Sequence, residues 1–354
     1  MSWQTELTTR LGIKHPIIQA PMAGGTTTPA LVAAVSNAGG LGSIGAGYMA
    51  PDDLATAIAE TMRMTSKPFA VNLFSPQPFQ IDEERIEQAN ARLDVFRQEL
   101  NIERPAPPKH YAQPFEDQFE TVLEAGVAVF SSTFGQLDAG RNKALQDHGT
   151  CVIGTATTVD EARALAEDGV DMIVAQGSDA GGHRGTFMGS AEQAMIGTLS
   201  LVPQIADTVD IPVIASGGIM DGRGMAACRM LGAAGVQMGS AFLTCTESGA
   251  KPAHKSALLE SRGRATAVTR AFSGKAARGL TNRFIEHMAP IEAALPDYPV
   301  QNGWTKDIRA AAGKADRDEF MSLWAGQAAS LARSMDAAEL VDTLMREYNA
   351  CIQR

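Results

Sequence analysis

Eight short apolar segments constrain the fold of this chain more than any other feature of its sequence. They are residues 16–20, 41–45, 69–73, 127–131, 150–154, 172–175, 213–215 and 235–238. None shows a regular polar–apolar alternation, which is typical of parallel strands buried on both faces. Stretches of helical character lie between most of them, and one begins with Thr158 and Glu161 in the spacing of a capping box. The alternation predicts an α/β fold, a TIM-like (β/α)8 barrel, with a doubly wound open sheet as the alternative.

Two regions lie outside this pattern. Residues 75–118 are polar and interrupted by prolines, although Ile86, Leu93 and Leu100 keep a helical spacing. The tail from Thr246 onward shows no strand signal and indicates several helices, with Trp324, Leu331 and Met335 spaced like one helix face. We therefore expect residues 1–245 to form the barrel, with an insertion at 75–118. Residues 246–354 are expected to form a mainly helical covering subdomain over the substrate site and the C-terminal helices.

The overall charge excludes one class of function. The 354 residues include 30 Lys and Arg against 40 Asp and Glu, a net charge of −10 without a basic block, which disfavours nucleic acid as a partner. No apolar run reaches the roughly 18 residues that span a bilayer, so no membrane partner is expected. The four cysteines lack paired or zinc-binding spacing, which indicates reduced thiols in the cytoplasm. The sequence leaves homo-oligomerisation open.

Many of the 34 glycines lie just after a predicted strand. In a barrel these positions share the C-terminal face, where active sites are built. Gly217 and Gly218 follow the seventh strand, and Gly239 follows the eighth. Loops at these two places form the usual phosphate site of such barrels, because glycine lets backbone N–H groups approach an anion closely. The alternative is that these glycines only make tight turns. The GLGSIG run at 40–45 follows a helix and enters a strand, the reverse of a dinucleotide fingerprint.

Residues 175–185, AQGSDAGGHRG, carry the densest polar chemistry in the chain. His183 lies in this glycine-rich stretch and is expected to face a cavity, where a neutral imidazole can accept a proton or bind a developing anion. A histidine bonded to a backbone carbonyl is the structural alternative. Asn72 and Gln19, at the ends of the third and first strands, add amides suited to the polar edge of a flat heterocycle, or to capping a turn. No nucleophile-elbow motif and no metal-ligand cluster occurs, so the sequence indicates a phosphate-bearing organic cofactor and no metal.

Several segments together resemble the nitronate monooxygenase family, formerly called 2-nitropropane dioxygenases. They are residues 19–25 (QAPMAGG), 175–185, 215–219 (ASGGI) and 237–240 (QMGS). Residues 269–280 (TRAFSGKAARGL) and 324–327 (WAGQ) extend the resemblance to nearly the whole chain and to the bacterial class I branch. The resemblance implies a TIM-like barrel, non-covalent FMN and a helical subdomain that covers the site.

The resemblance also implies roles for individual residues. The FMN contacts would come from Met22, Asn72, Gln176, Gly181, Gly217, Gly218, Gln237, Met238, Gly239 and Ser240. His183 would be the catalytic residue. Asp179 stands where the family more often has Glu, so it receives no role.

The implied reaction is the oxidative denitrification of an alkyl nitronate by O2 to a carbonyl compound and nitrite, with propionate 3-nitronate as the favoured substrate. We expect Lys306 to meet the carboxylate of that substrate, with Tyr298 and Tyr111 as hydrogen-bond donors. The alternative for each of the three is a surface side chain.

Two other functions stay open. Related flavoenzymes are NAD(P)H-dependent reductases of quinones or enoyl thioesters, and they share the phosphate loops. A flavin- or phosphate-binding regulatory barrel is the non-catalytic alternative. The His183 loop and the tail motifs favour nitronate oxidation.

Overall fold

The computed structural model describes residues 3–353. The strands are β1 (Ile17–Gln19), β2 (Gly42–Gly45), β3 (Phe69–Phe74), β4 (Val129–Thr133), β5 (Cys151–Ala156), β6 (Met172–Gln176), β7 (Gly182–His183), β8 (Val213–Ser216), β9 (Gly235–Met238), β10 (Thr266–Thr269) and β11 (Ala277–Leu280). The helices are α1 (Glu6–Leu11), α2 (Pro29–Asn37), α3 (Pro51–Met64), α4 (Glu83–Glu99), α5 (Phe115–Ala125), α6 (Ala139–Asp147), α7 (Val159–Glu167), α8 (Thr198–Ala206), α9 (Gly222–Met230), α10 (Ser240–Leu243), α11 (Pro252–Leu259), α12 (Arg283–Met288), α13 (Val300–Trp304), α14 (Lys306–Lys314) and α15 (Ala337–Ile352). Short 3-10 helices lie at Ala289–Ala294, Asp318–Phe320 and Ala329–Leu331.

Eight strands form one parallel barrel. Their order is β1-β9-β8-β6-β5-β4-β3-β2, and a parallel bridge between Ile18 and Leu41 joins the two end strands. All eight predicted strands are present, with small shifts at their ends. The prediction of a TIM-like barrel is confirmed, and the open-sheet alternative is excluded because the sheet closes on itself.

Gln19 closes the seam between β1 and β2. Its backbone N–H donates to the Leu41 carbonyl at 2.9 Å, and its Oε1 accepts a hydrogen bond from the Ser43 N–H at 3.1 Å. Its Nε2 donates to the Ser43 carbonyl at 3.3 Å, and the whole residue is buried. Both ends of the amide therefore serve the barrel wall. These bonds agree with the structural alternative for Gln19.

The outer helices begin where the sequence supplies a cap. Thr28, Asp138, Thr158 and Asp221 each accept a hydrogen bond from a backbone N–H in the first turn of the helix that follows, namely α2, α6, α7 and α9. These helices, with α3, α5 and α8, surround the barrel. α15 packs against α9 and α2 and completes the ring, although it lies beyond residue 245.

The capping box predicted at α7 is only half formed. The Thr158 hydroxyl accepts from the Glu161 N–H at 3.2 Å, as predicted. The Glu161 carboxylate is buried and turns elsewhere: it accepts from the N–H and hydroxyl of Thr157, both at 2.6 Å, and from the N–H groups of Phe187 and Met188. Glu161 therefore anchors the loop that follows His183.

The tail is not helical throughout, which corrects our prediction. β10 and β11 form an antiparallel pair, and β11 continues onto β7, where Ala277 lies opposite His183. Residues 324–335 do not form a regular helix either; Ala329–Leu331 is a single 3-10 turn. The three strands were missed because each is short and depends on partners that are distant in sequence.

The insertion and the tail form one apolar unit over the C-terminal end of the barrel. Phe96 of α4 stacks on Phe284 at 4.8 Å between centroids, and Phe284 stacks on Phe272 at 4.2 Å. The buried Arg97 of α4 donates to the Asp307 carboxylate at 2.7 Å and to the Trp304 carbonyl at 2.8 Å. The division of the chain at residue 245 into barrel and cover stays a proposal.

Candidate active site

A polar layer lines the C-terminal mouth of the barrel. Alternate residues on a strand point to the same side. The apolar interior includes Ala70, Val129, Ile153, Val174 and Ile214, which cluster with residues of α1. Two positions further along the same strands stand Asn72, Ser131, Thr155, Gln176 and Ser216, and Gln237 lies beside Ser216 in the ladder. The strands therefore change from apolar to polar where they leave the core.

Asn72 is fixed by β4. Its Nδ2 donates to the Ser131 carbonyl at 3.1 Å, to the Ser131 hydroxyl at 2.9 Å and to the Thr133 hydroxyl at 3.2 Å. Since the nitrogen is satisfied, the Oδ1 atom is the one that can serve a ligand. Ser131 and Thr133 are part of the site, and no motif in the sequence had marked them.

Two glycine loops offer free backbone donors. Gly217 and Gly218, after β8, have φ angles of +120° and +69°, which L-residues rarely adopt. The N–H groups of Gly218 and Gly239 donate to no acceptor within residues 3–353, whereas Gly217 directly follows the last pair of the β8–β9 ladder, Ser216 with Gln237. The Sδ atom of Met22 lies 3.9 Å from the place where a Cβ of Gly239 would stand, so Met22 borders the second loop. Free N–H groups on two adjacent loops suit a phosphate.

The covering unit touches the mouth at Gly181. A Cβ atom there would lie 2.5 Å from the carbonyl carbon of Ala325 and from the nitrogen of Gly326. The Gly326 N–H donates to the Ser240 hydroxyl at 2.9 Å. The backbone of 325–326 therefore connects the loop after β6 with the start of α10, and this close approach requires glycine at position 181.

Asp179 has a structural role that the sequence did not reveal. Its Oδ2 accepts from the Thr198 N–H at 2.7 Å and from the Thr198 hydroxyl at 2.9 Å, at the first residue of α8. The same hydroxyl oxygen lies 3.0 Å from the Gly217 carbonyl oxygen, so Thr198 is in contact with both loops. Asp179 and Thr198 together thus link the loop that follows β6 to the loop that follows β8.

His183 is held from two sides. The Gln176 Nε2 donates to the His183 carbonyl at 3.1 Å, and the Gln176 Oε1 accepts from the Gly185 N–H at 2.8 Å. The imidazole Nε2 lies 2.9 Å from the hydroxyl of Ser273, a buried residue between β10 and β11. Gln176 therefore positions the catalytic candidate as well as bordering the site.

Aromatic rings enclose the imidazole. Phe134, Trp324 and Tyr298 lie at centroid distances of 5.6, 5.4 and 6.1 Å from the His183 ring. Phe134 follows β4 with a φ of +76°, a left-handed conformation that costs a non-glycine residue about 1–2 kcal/mol. Such strain is tolerated where the surroundings over-determine it, commonly at functional sites.

Burial and two nearby cations keep His183 neutral. The residue is half-buried, and burial, then Lys275, then Arg309 lower the pKa of His183 to about 3. Lys275 donates to the Thr186 carbonyl at 3.0 Å and lies 4.8 Å from the centroid of the Phe134 ring. Neither cation forms an ion pair with a carboxylate in the described part of the chain. The carboxylates that act on these cations, Glu161 on Lys275 and Asp307 on Arg309, do so without forming an ion pair.

The three residues predicted for substrate binding lie in different settings. Tyr298 borders His183, and burial followed by the neighbouring Tyr48 hydroxyl raises the pKa of Tyr298. Tyr111 packs against Gly303 of α13 and faces Phe79 at 6.2 Å. Lys306 is exposed and is not among the cations that lower the pKa of His183. The structure brings Tyr298 to the imidazole, whereas the α14 cation whose charge acts on His183 is Arg309.

A family model described as nitronate monooxygenase matches residues 4–347. This chain belongs to the nitronate monooxygenase family. A probable nitronate monooxygenase of Staphylococcus saprophyticus is 46% identical, with 100% of both chains covered. One of Staphylococcus haemolyticus is 47% identical, with 99% of both covered. The family relationship makes the chain an oxidoreductase of the monooxygenase type.

Solved structures agree with this nitronate monooxygenase assignment. The nitroalkane oxidase from Streptomyces ansochromogenes is 40% identical, with a TM-score of 0.92 over 98% of this chain and 99% of that one. FabK from Thermotoga maritima is 31% identical, with a TM-score of 0.77 over 99% of this chain and 97% of that one. The similarity to the nitroalkane oxidase includes the covering unit as well as the barrel.

Members of the nitronate monooxygenase family are flavin-dependent, and the residues present fit such a group. The free N–H groups of the two glycine loops suit its phosphate, and the polar layer suits the edge of its ring. Within residues 3–353 no cluster of His, Cys, Asp or Glu is placed to hold a metal ion. No helix in that range is long and apolar enough to cross a membrane.

Proposed function

We propose that this chain is an FMN-dependent nitronate monooxygenase. It converts alkyl nitronates, with propionate 3-nitronate as the favoured substrate, and O2 to a carbonyl compound and nitrite. The observation that carries the proposal is a neutral His183 beside two cations, Lys275 and Arg309, that lack carboxylate partners. A site built in this way attracts a small organic anion.

We assign FMN to the mouth of the barrel. The N–H groups of Gly217, Gly218 and Gly239, with Ser240, would bind its phosphate, and Met22, Asn72 and Gln176 would border its ring. Gly181, Gln237 and Met238 complete the proposed contacts. When bound, the flavin supplies the redox chemistry between the nitronate and O2.

The pKa of His183 favours nitronates over neutral nitroalkanes. Burial and the charges of Lys275 and Arg309 lower this pKa to about 3, so the imidazole is neutral at physiological pH. Such an imidazole is a weak base toward a neutral nitroalkane. It is suited to hold an anion that has already lost its proton, whose negative charge the two cations stabilise.

The aromatic rings support the same role. Phe134, Trp324 and Tyr298 surround the imidazole and would restrict the access of water to it. Exclusion of water strengthens the attraction between the cations and the bound anion. We also propose a cytoplasmic location, because Cys151, Cys228, Cys245 and Cys351 are all free thiols.

Oxygen uptake tests the proposed function. The purified protein, with its flavin released and identified by mass, is mixed with propionate 3-nitronate, ethyl nitronate, nitroethane, or NADH with a quinone. We expect O2 uptake with nitrite formation for both nitronates, slower turnover of nitroethane, and FMN as the released cofactor. Turnover of NADH and quinone without turnover of nitronates would favour the reductase alternative.

A further inference from the structure

Two buried arginines bind consecutive carbonyl groups of the loop that follows β6. Arg184 donates from Nη2 to the Gln176 carbonyl at 3.0 Å and from Nη1 to the Gly177 carbonyl at 2.6 Å. Arg278, on β11, donates from Nε to the Ser178 carbonyl at 2.8 Å. Both arginine side chains are buried. Three carbonyls in a row are thus bound by guanidinium groups.

The remaining partners of the two arginines are also neutral. Arg184 donates to the Ala194 carbonyl at 3.1 Å, and Arg278 donates to the Thr266 hydroxyl at 3.2 Å. Within residues 3–353 neither guanidinium is hydrogen-bonded to a carboxylate. Burial of a cation without an anionic partner is costly, and an apolar side chain would fill the same space without that cost. The burial of two arginines behind one loop therefore favours a role beyond packing.

The hydrogen bonds leave the N–H groups of this loop free. The carbonyl of Asp179, the next residue, accepts from the Gln327 N–H at 2.9 Å, so four consecutive carbonyls have protein donors. The N–H groups of Asp179 and Gly181 donate to no acceptor within residues 3–353. A loop whose carbonyls are held by the protein and whose N–H groups are free is suited to bind an anion.

These free N–H groups adjoin both parts of the proposed phosphate site. The Cβ atom of Asp179 lies 3.1 Å from the place where a Cβ of Gly218 would stand. The Gly181 nitrogen lies 3.3 Å from the corresponding place at Gly326, and the Gly326 N–H donates to the Ser240 hydroxyl at 2.9 Å. Gly218 and Ser240 are both proposed phosphate contacts. The loop after β6 therefore lies beside each of them.

We propose that Arg184 and Arg278 are positioning residues for the phosphate group of the flavin. By binding the carbonyls of residues 176–178, they hold the loop after β6 with its free N–H groups toward that phosphate. The proposal rests on the FMN cofactor of the function proposed above. Neither arginine contacts the cofactor, and each acts through the backbone that it binds. The planar fork of Arg184 binds two carbonyls at once, which the single ammonium of a lysine does not reproduce.

Flavins with and without a phosphate group test the positioning role. FMN and riboflavin share the ring and the ribityl chain, and only FMN carries the phosphate. The bound flavin is removed from the full-length protein, and each of the two flavins is titrated back while its fluorescence is followed. We expect Arg184→Met to weaken the binding of FMN by about tenfold or more and that of riboflavin by less than about threefold. Arg278→Met, which removes one carbonyl contact, should show the same selectivity at about threefold.

The exposed Arg163 on α7 is the matched control. Arg163→Met removes the same charge from the surface and should leave the affinities for both flavins unchanged. Equal losses for FMN and riboflavin in Arg184→Met would show a general structural effect and would overturn the proposal. Unchanged FMN affinity in Arg184→Met would overturn it as well.

Arg184→Lys separates positioning from charge. The lysine keeps the charge but loses the fork, so we expect the FMN affinity to stay close to that of Arg184→Met. Wild-type FMN affinity in Arg184→Lys would overturn the positioning role. If neither variant of Arg184 folds, Arg278→Met provides the test, and an unchanged ratio of FMN to riboflavin affinity in that variant would overturn the proposal.

Flavin binding requires no turnover, which separates this proposal from the proposed function. A wild-type protein that binds FMN but oxidises no nitronate would refute the proposed function. The selective loss of FMN affinity in Arg184→Met is expected in that case too.

Discussion

The Nε2 atom of His183 lies 2.9 Å from the hydroxyl of Ser273. That hydroxyl also donates to the Lys275 carbonyl at 3.1 Å and accepts from the Lys275 N–H at 3.3 Å. Since a hydroxyl has one proton and the carbonyl can only accept, all groups are satisfied when the imidazole donates from Nε2. His183 then presents the lone pair of Nδ1 to the site.

Removal of the hydroxyl should disturb the imidazole. We expect Ser273→Ala to lower kcat/KM for propionate 3-nitronate by about fivefold, because the loss of a hydrogen bond worth about 1 kcal/mol frees the ring to adopt other tautomers and orientations. The flavin content should not change, since Ser273 is not among the proposed cofactor contacts. The exposed Ser330→Ala is the control. Steady-state kinetics measure the effect. Wild-type activity in Ser273→Ala would show that Ser273 does not position the imidazole of His183.

The low pKa of His183 predicts a pH-dependent stability. The unfolded chain binds a proton at this histidine below about pH 6.5, whereas the folded chain does not until about pH 3. The contribution of His183 to the free energy of unfolding is therefore fully present above the pKa of the unfolded state. That contribution is lost as the pH falls from 6.5 toward 3. Between pH 7 and pH 5, wild type should lose about 2 kcal/mol of unfolding free energy relative to His183→Asn.

Urea unfolding of both proteins at pH 7, 6 and 5 measures this difference. His254, whose pKa burial lowers to about 4, is present in both proteins and its effect cancels. A difference that stays constant with pH would show that the folded-state pKa of His183 is ordinary.

The close approach at Gly181 predicts a loss of flavin. In Gly181→Ala the new methyl group would displace the backbone of residues 325–326 and break the hydrogen bond between Gly326 and Ser240. We expect weaker flavin retention during gel filtration, read from the absorbance ratio of flavin to protein. Gly313→Ala is the control, because its Cβ would meet only the flexible side chain of Lys251 at an ordinary distance, and alanine favours the helix α14 in which it lies. Equal flavin retention in the two variants would contradict the tight contact.

Glu161 should stabilise the loop after His183. Glu161→Ala leaves the N–H groups of Thr157, Phe187 and Met188 without their acceptor, so we expect a loss of about 3 kcal/mol in unfolding free energy. The exposed Glu167→Ala, on the same helix, should change it by less than about 0.5 kcal/mol. Urea denaturation measures both. A loss in Glu161→Ala as small as that in the control would show that the loop holds without the carboxylate.

The barrel could be predicted from the sequence because its signal is local. A strand buried on both faces must be apolar along its length, and the glycines at its end mark the close turns of the mouth. The same logic identified Gly217, Gly218 and His183, whose positions follow directly from the strand that precedes each of them.

Other parts of the site depend on packing between distant segments. β7, β10 and β11 are too short to be read without their partners. Ser273 lies in the 269–280 motif but received no role from it, Phe134 lies in no motif, and only the fold brings both to His183. Lys306 and Arg309 are three residues apart on one helix, and the orientation of that helix against the cover decides which cation is buried. A sequence pattern does not contain that orientation.

Anaerobic mixing of the flavin-loaded protein with propionate 3-nitronate tests the central claim most directly. Without O2, the flavin absorbance reports electron transfer from the substrate alone. A parallel experiment replaces the nitronate with NADH. We predict rapid reduction of the flavin by the nitronate, slower reduction in His183→Asn, and reoxidation with nitrite release when O2 is admitted. Reduction by NADH together with no spectral change on adding the nitronate would contradict the account.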